Sequence, residues 1–469
     1  MSKQTVSAFK KVVGEENFSA DVFECIVHSI DGARLLSGYE LEDKGKIPIA
    51  VVQPVNAKMV SEILKIANRQ KTPVVVRSAG TNQIFGTIPQ KKGSIVLDLS
   101  KMNWKHLCQK DGYVEVGPGV IWDELNEFLA PHGYEFPIFP GSHRIASVGG
   151  GISINTSGHV VDSYQGKPGD YVLGLEVVLP TGEIIHTGGK SLRKHAGPDL
   201  TRLFIGGEGH FGVITELRLR LLPKPLEKRW AWIIFDSLET LVKAAVRMYN
   251  ERVPYPRLLE FLDEGYTEIA VKAMGIKAPV GAVLMVTTDG EAPGEAEYKL
   301  KKILETCKKE KPLEIQVLES ESQWNDLWAA REIPRSVMRG KNWTADTFDP
   351  PLTKAVSAFM GMRHFMEKFA AQHEGTKSYL YGHIGGPSMH TLIVFPPKWD
   401  DEQLKRVRMK LTKEFMKLSL KYEMTPGENG IFPLRREWFI KAYGRTCYNL
   451  LKRTKKVFDP NDILSPGRM

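Results

Sequence analysis

At 469 residues the chain exceeds what one hydrophobic core serves, so two or three domains are expected. Hydrophobic residues at 42% and charged residues at 25% exclude a fibrous or disordered chain, and no stretch is apolar enough to span a bilayer. The net charge of +9 is uneven: residues 401–469 hold 16 Lys/Arg against 8 Asp/Glu, nearly the whole excess.

The simplest reading of that basic tail is a solvated helical face. The functional alternative is a docking surface for an acidic protein or an anionic membrane leaflet. Nucleic acid is not expected, because no recognition motif accompanies the charge. The N-terminal Met1-Ser-Lys-Gln-Thr has no signal-peptide core, so the expected address is cytoplasmic. Cys25, Cys108, Cys307 and Cys447 lie far apart without a Cys-x-x-Cys pair, which argues against a disulfide framework and against iron–sulfur ligation.

In chain order, residues 1–44 read as a helical lead-in ending at a linker around Glu42-Asp-Lys-Gly-Lys-Ile-Pro48. Ile49–Val52 and Pro73–Val76 read as buried strands flanking an amphipathic helix over Met59–Gln70, with Val60, Ile63, Leu64 and Ala67 on one face. Ser94–Asp98 and Tyr113–Gly117 continue in strand periods, and Trp122–Leu129 forms a helix that stops at Pro131-His-Gly133. Val172–Leu179 and Glu183–His186 bracket a turn at Pro180-Thr-Gly182. Glu216–Leu222 alternates as a strand with one wet face.

Pro223-Lys-Pro225 marks a boundary. Beyond it, strands at Trp230–Phe235 and Ala282–Thr287 alternate with helices near 238–251 and 295–310, the pattern of an antiparallel sheet with helices on one side. Amphipathic helices follow over 402–421 and near 436–457.

Two glycine-rich stretches stand out, Arg77-Ser-Ala-Gly-Thr-Asn82 and Ser147-Val-Gly-Gly-Gly-Ile-Ser-Ile-Asn-Thr-Ser-Gly158. The first directly follows a strand, where Gly80 lets the backbone turn and successive N–H groups converge on phosphate oxygens. It is neither a Walker loop nor a G-x-G-x-x-G, and alone it would read as a tight surface turn. It is joined, in order, by Phe136-Pro-Ile-Phe-Pro-Gly-Ser142, Val148-Gly-Gly-Gly151, Asn155-Thr-Ser-Gly158 and Gly206-Gly-Glu-Gly209.

This ordered set resembles the flavin domain of the vanillyl-alcohol oxidase (PCMH-type) superfamily, within it the glycolate, D-lactate and D-2-hydroxyglutarate dehydrogenase branch. The resemblance implies an α+β fold: a PCMH-type FAD-binding domain of two α+β subdomains over residues 45–224, a ferredoxin-like cap over 225–420, and a C-terminal helical segment, 421–469, returning to the flavin. It implies FAD contacts at Arg77, Ser78, Ala79, Gly80, Thr81, Asn82, Gly141, Ser142, Gly149, Gly150, Gly151, Ser157, Gly158 and Ile214. Some members tether FAD through a histidine in the first loop; Thr81 stands there, so the FAD is expected to be noncovalent.

Farther on, Tyr381-Gly-His-Ile-Gly-Gly-Pro-Ser-Met-His390 and Thr425-Pro-Gly-Glu-Asn-Gly430 supply two imidazoles and a carboxylate, a ligand set for zinc, iron or manganese. By spacing alone, two unrelated histidines are the simpler reading. The related dehydrogenases carry two histidines and a glutamate as metal ligands, and His383, His390 and Glu428 fall on those positions. The chain departs from the pattern at Gly386, Pro387 and Ser388, which replace Asp-Gly-Asn, and at Phe432, which replaces a glycine. It departs again at Asn429, where the family has a proton-accepting histidine; an amide orients a substrate but is no general base.

Trp328-Ala-Ala-Arg-Glu-Ile-Pro-Arg335 resembles the family's Trp-x-x-Arg-Glu element, which makes Arg331 the partner of a substrate carboxylate, with Arg335 and Arg339 nearby. A helix with exposed arginines is the competing reading, and Arg435 and Arg436 are expected at the surface.

The expected function is an FAD-dependent dehydrogenase of a D-2-hydroxy acid, passing electrons to an electron-transfer flavoprotein, an iron–sulfur subunit or a quinone. Three alternatives remain open. One is an alcohol or other oxidisable substrate, with Tyr381, Tyr164 or a metal-bound hydroxide taking the proton. The others are an electron-relay flavoprotein in a larger complex and a peripheral membrane component.

Overall fold

The computed structural model describes residues 3–31, 47–82, 85–138, 140–158, 166–191, 197–275, 279–337, 342–427, 430 and 435–469. Short β-branched runs make its first sheet. β1 (Ala50–Val52) and β2 (Val74–Arg77) both run parallel to β3 (Ile95–Asp98), which lies between them. A strand buried on both sides reads as a continuous apolar run, and these do. α1 (Lys3–Val13) contributes Phe9 and Val13 to that core, and α2 (Ala57–Gln70) contributes Val60, Ile63, Leu64 and Ala67. Asn56 caps α2 by accepting from the Met59 N–H at 3.0 Å.

The second sheet is antiparallel and five-stranded. Its order is β4 (Lys105–Cys108), β5 (Tyr113–Val116), β8 (Val213–Arg220), β6 (Val172–Val178) and β7 (Ile184–Gly188). β8 alternates buried and half-buried residues as its sequence requires. α3 (Trp122–Leu129) and α4 (Val148–Ile154) close this sheet's core through Trp122, Leu125 and Ile152.

The third sheet has eight strands, all antiparallel. Its order is β12 (Glu314–Leu318), β9 (Glu227–Phe235), β11 (Ala282–Gly290), β10 (Leu258–Leu262), β14 (Lys377–His383), β15 (Met389–Val394), β13 (Trp343–Asp349) and the short Thr425–Pro426. The sequence suggested helices on one side, but both sides are covered. α5 (Leu238–Asn250), α7 (Glu295–Lys308), α9 (Ala355–Ala371) and α10 (Asp401–Lys421) pack on the Ile233/Phe261 face; α6 (Glu264–Met274) and α8 (Glu321–Val337) pack on the Trp232/Leu262 face. The reason is visible in β10 and β11, whose residues are buried almost without alternation, so neither face can be left wet. Arg257, just before β10, ties this sheet to the two-stranded ribbon of Tyr134–Glu135 and Leu222–Pro223, meeting Glu135 at 2.8 Å and Asp289 of β11 at 3.0 Å.

The helix expected over 436–457 is two helices, α11 (Arg436–Tyr443) and α12 (Arg445–Phe458). Gly444, at φ 88 and ψ 151, interrupts them in a conformation open essentially to glycine alone. After α12 the chain crosses back to the first sheet: Val74 donates to Ile463 O at 2.7 Å and Ser465 donates to Val74 O at 2.8 Å, adding a parallel rung beside β2. Among the described residues, no helix is long and apolar enough to cross a membrane.

Candidate active site

One continuous cavity, with about 1730 Å³ of open space including its mouth, runs from the end of β2 to the Tyr381–His390 hairpin of the third sheet. Its near wall is the first glycine stretch. Arg77 turns inward, donating from Nη1 to Ile30 O at 2.7 Å and to Thr87 Oγ1 at 3.2 Å. Gly80 lies directly over that guanidinium at φ +67, and a Cβ there would come within 2.2 Å of it. The turn therefore needs glycine for its dihedral and for space.

The second stretch is not a loop. Val148–Ile154 is the helix α4, capped by Ser147. Ser147 Oγ accepts from the Gly150 N–H and from the Ala79 N–H, each at 3.4 Å, so the two glycine stretches are joined through one hydroxyl. The three glycines do different things. A Cβ on Gly149 would lie 2.4 Å from Pro118 Cβ and one on Gly151 2.8 Å from the Trp122 ring, whereas one on Gly150 would meet only Ser147 Oγ at 3.0 Å. Gly149 and Gly151 seat the helix on residues 118–122, and Gly150 is the one whose missing side chain leaves room in the cavity.

Of the expected cofactor residues, Arg77 to Asn82, Gly141, Ser142, Gly149 to Gly151, Ser157 and Ile214 all line the cavity. Gly158 does not: it is buried beside Ser157, whose hydroxyl accepts from Lys167 Nζ. The sequence reading overlooked Glu208 and Arg468, a buried ion pair at 3.0 Å in the same wall. Arg468 also donates to Gly86 O at 3.3 Å, so the end of the chain helps to hold the 77–86 region. The Gly-Gly-Glu-Gly run around Glu208, with Glu208 at φ 52, was the available signal.

The far wall is built by strand register. Glu260 on β10 faces His383 on β14; Tyr381 on β14 faces His390 on β15; His390 faces Thr347 on β13. Positions two apart on a strand share a face, so Glu260, His383, Tyr381, His390 and Thr347 form one polar row on the side covered by α8. Glu260 is fully buried and accepts from Arg331 Nε at 2.8 Å and pairs with His383 Nδ1. His390 Nδ1 is 2.8 Å from Thr347 Oγ1, and the two imidazole rings lie 5.1 Å apart, nearly perpendicular. Tyr381 is sandwiched, stacking on His390 at 5.0 Å with the Arg331 guanidinium 4.4 Å above its ring.

Arg331 lies on a helix but is only 3% exposed, so the surface-arginine reading fails. Burial opposes its charge; Glu260, with Tyr266 and Tyr381 nearby, more than offsets this and holds the guanidinium firmly protonated. Its Nη groups have no hydrogen-bond partner among the described residues and line the cavity. Glu260 was missed from sequence, although a lone acid in the otherwise apolar Leu-Leu-Glu-Phe-Leu strand is a recognisable sign of a buried functional group.

Arg435, expected at the surface, is 5% exposed and paired with the half-buried Asp346, whose pKa is raised by its loss of solvent, a rise that Arg435 opposes. A carboxylate withdrawn from water needs such a partner. Arg436 is half-buried and donates to Met469 O at 3.1 Å.

Glu428, Asn429, Phe432, Tyr164 and Arg339 lie outside the described residues, as does the side chain of Arg335. The neighbours of 428–429 are described: Gly427 donates to Thr347 O at 3.1 Å, and Gly430 sits against the Glu208 carboxylate. Among the described residues, three donor atoms within 4.8 Å of one another occur at His106, Cys108 and Glu115 on the β4–β5 hairpin, outside this cavity. Glu115 there is already bound to Arg218 at 2.9 Å.

The residues fit a large anionic cofactor and a small acid beyond it. Backbone approaches closely at Gly80 and Gly150, and a buried guanidinium with two imidazoles closes the far end. Each imidazole has Nδ1 engaged inside the protein, the arrangement that directs Nε2 to a metal or a substrate oxygen.

Residues 48–188 match the family model described as FAD binding domain, and residues 224–469 match FAD linked oxidases, C-terminal domain. Glycolate oxidase subunit GlcD of Bacillus subtilis (strain 168) is 29% identical, across 100% of this chain and 97% of that protein. The mitochondrial D-lactate dehydrogenase [cytochrome] of Arabidopsis thaliana is 30% identical, across 100% of this chain and 80% of that one. Among solved structures, p-cresol methylhydroxylase with substrate bound superposes with a TM-score of 0.78 at 18% identity, covering 99% of this chain and 96% of that chain. Alkyldihydroxyacetonephosphate synthase gives 0.78 at 15%, covering 99% and 86%. These two likenesses establish the fold alone.

Proposed function

The chain belongs to the FAD-linked oxidases, and from that premise we propose that it is a 2-hydroxy-acid dehydrogenase acting on a small D-acid such as lactate or glycolate. The observation that carries this reading is the buried Arg331, whose Nη end lines the cavity beside two imidazoles. A planar guanidinium matches a carboxylate in two parallel hydrogen bonds, and a hydroxyl one carbon away would then reach His383 and His390. Glu260 engages Nε of that guanidinium, and an uncharged alcohol would offer its Nη groups no matching pair of acceptor oxygens.

FAD would be held by residues 77–82, Gly141, Ser142, α4, Ser157 and Ile214, noncovalently with Thr81 in the first loop, and would accept hydride from the substrate carbon. His383, His390 and Glu428 are the residues that would hold a divalent ion, zinc, iron or manganese, which would acidify the substrate hydroxyl. Arg331 fixes the carboxylate, and Tyr381 beneath it keeps that guanidinium in place. Asn429 has no basic atom, so we assign the relay of the hydroxyl proton to Tyr381 Oη, at once donor and acceptor. Electrons would leave to a separate carrier, an electron-transfer flavoprotein or an iron–sulfur subunit, since the four cysteines are dispersed and unpaired. A cytoplasmic enzyme that docks its carrier through the basic C-terminal helices, with or without an anionic membrane, completes the reading.

The test is anaerobic: FAD-loaded protein is mixed with D-lactate, glycolate and D-2-hydroxyglutarate while flavin absorbance is followed, with metal analysis on the same sample. Bleaching by at least one acid is expected. Bleaching only by uncharged alcohols of the same length would overturn the carboxylate reading.

A further inference from the structure

Glu260 is a carboxylate with no solvent exposure at all, between two hydrogen-bond donors. Oε2 takes Arg331 Nε at 2.8 Å, and Oε1 takes His383 Nδ1. Neither contact is adjustable. The Glu260–His383 pairing is set by the β10–β14 register, and Arg331 is pinned along α8, where Tyr266 Oη donates to the Arg331 carbonyl at 2.9 Å while Tyr381 lies under the guanidinium. One side chain thus touches the group that would bind the substrate's carboxylate and the imidazole that would meet its hydroxyl oxygen.

We propose that Glu260 is a positioning residue for both halves of the substrate site: it aims the Nη end of Arg331 into the cavity and fixes His383 as the Nδ1–H tautomer, whose acceptor is Nε2. This rests on the hydroxy-acid reading for the identity of the substrate, but the hydrogen-bond argument stands apart from it. Arg331 Nε–H can only donate. A carboxylate offers two acceptor oxygens, enough for Arg331 and for His383 Nδ1–H together. A carboxamide of the same shape offers one oxygen and one NH₂, so it satisfies Arg331 only by presenting its N–H to His383. Nδ1 must then become the acceptor, and the proton moves to Nε2, the nitrogen needed as a lone-pair donor. The isosteric change Glu260→Gln therefore switches the tautomer without altering the packing.

The experiment uses the full chain loaded with FAD. Nitrogen NMR of imidazole-labelled protein, with His383 assigned through His383→Gln, reads the tautomer in the wild type and in Glu260→Gln. Binding of oxalate, a carboxylate that cannot be dehydrogenated, is followed by perturbation of the flavin spectrum, and flavin reduction by the hydroxy acid is timed separately. The wild type is expected to show Nδ1–H. Glu260→Gln is expected to show Nε2–H, with oxalate affinity and the reduction rate each down about 10–100-fold and FAD content unchanged. Glu260→Asp, which keeps the charge, is expected to recover part of the oxalate affinity.

A wild-type His383 protonated on Nε2 would overturn the proposal even if no Glu260 variant folds. So would a Glu260→Gln protein with an unchanged tautomer and an unchanged reduction rate. If no hydroxy acid reduces the wild-type flavin, the substrate reading fails while the tautomer measurement still decides the role of Glu260.

Discussion

Replacing the three helical glycines one at a time separates packing from ligand binding within a single motif. Gly149→Ala places a methyl 2.4 Å from Pro118 Cβ and 2.6 Å from its Cα, about an ångström inside ordinary contact and against backbone that cannot rotate away. Overpacking of this kind costs about 1–3 kcal/mol. Alanine regains about 1 kcal/mol of helix propensity over glycine, so the net loss is roughly 0–2 kcal/mol. Gly150→Ala has the same propensity gain, and its methyl meets only the Ser147 hydroxyl at 3.0 Å. Disturbing that cap costs about 1 kcal/mol, so the stability of the apoprotein should be nearly unchanged. The methyl enters the cavity, however, and FAD affinity should fall by roughly tenfold or more, the equivalent of about 1.4 kcal/mol. Urea unfolding of the apoproteins and FAD titration by flavin fluorescence give the two axes. A Gly150→Ala protein that binds FAD as the wild type does, or a Gly149→Ala protein more stable than the wild type, would refute the division of roles.

Arg331→Met should raise the KM for a hydroxy acid by roughly 100-fold or more and destabilise the fold by about 3–5 kcal/mol, because Glu260 is left buried and unpaired; steady-state kinetics and urea unfolding read the two effects. Asp263, wholly buried at the start of α6, has its pKa raised by burial to about 7 despite accepting from the Leu380 and Tyr266 N–H groups. A carboxyl whose folded pKa is raised favours folding while protonated, so its contribution is full below the unfolded value and lost as pH rises toward 7. Unfolding free energies of Asp263→Asn and the wild type, measured from pH ~4 to ~7, should therefore diverge in favour of the variant as pH rises, by up to roughly 4 kcal/mol; parallel curves would contradict this. Gly444→Ala should cost about 1–3 kcal/mol through backbone strain alone, since no atom lies within 4 Å of the added methyl; hydrogen exchange should show earlier opening of α11 and α12.

Much of the cofactor half was legible because its constraints are local. A β-branched run, a glycine that must adopt positive φ at Gly80, and helix punctuation at Trp122–Leu129 each follow from neighbouring residues. The helical state of Val148–Ile154 was not legible, since three consecutive glycines carry no helix propensity; Pro118 and Trp122, distant in sequence, make them necessary. Covering both faces of the third sheet depended on how eight strands sort their side chains, which no single strand reveals.

The sequence by itself determined that two glycine-rich stretches in fixed order make a site for a flavin, and that Arg331, His383 and His390 are candidates for its chemistry. Only the tertiary structure decided that Arg331 and Arg435 are buried rather than solvated, that Ser147 ties the two stretches together, and that Glu260 joins Arg331 to His383. The physical reason is register. Side chains separated by 71 and 123 positions meet because antiparallel pairing and one helix crossing bring them to the same face. A buried charge is recognised as functional only when its partner is in view.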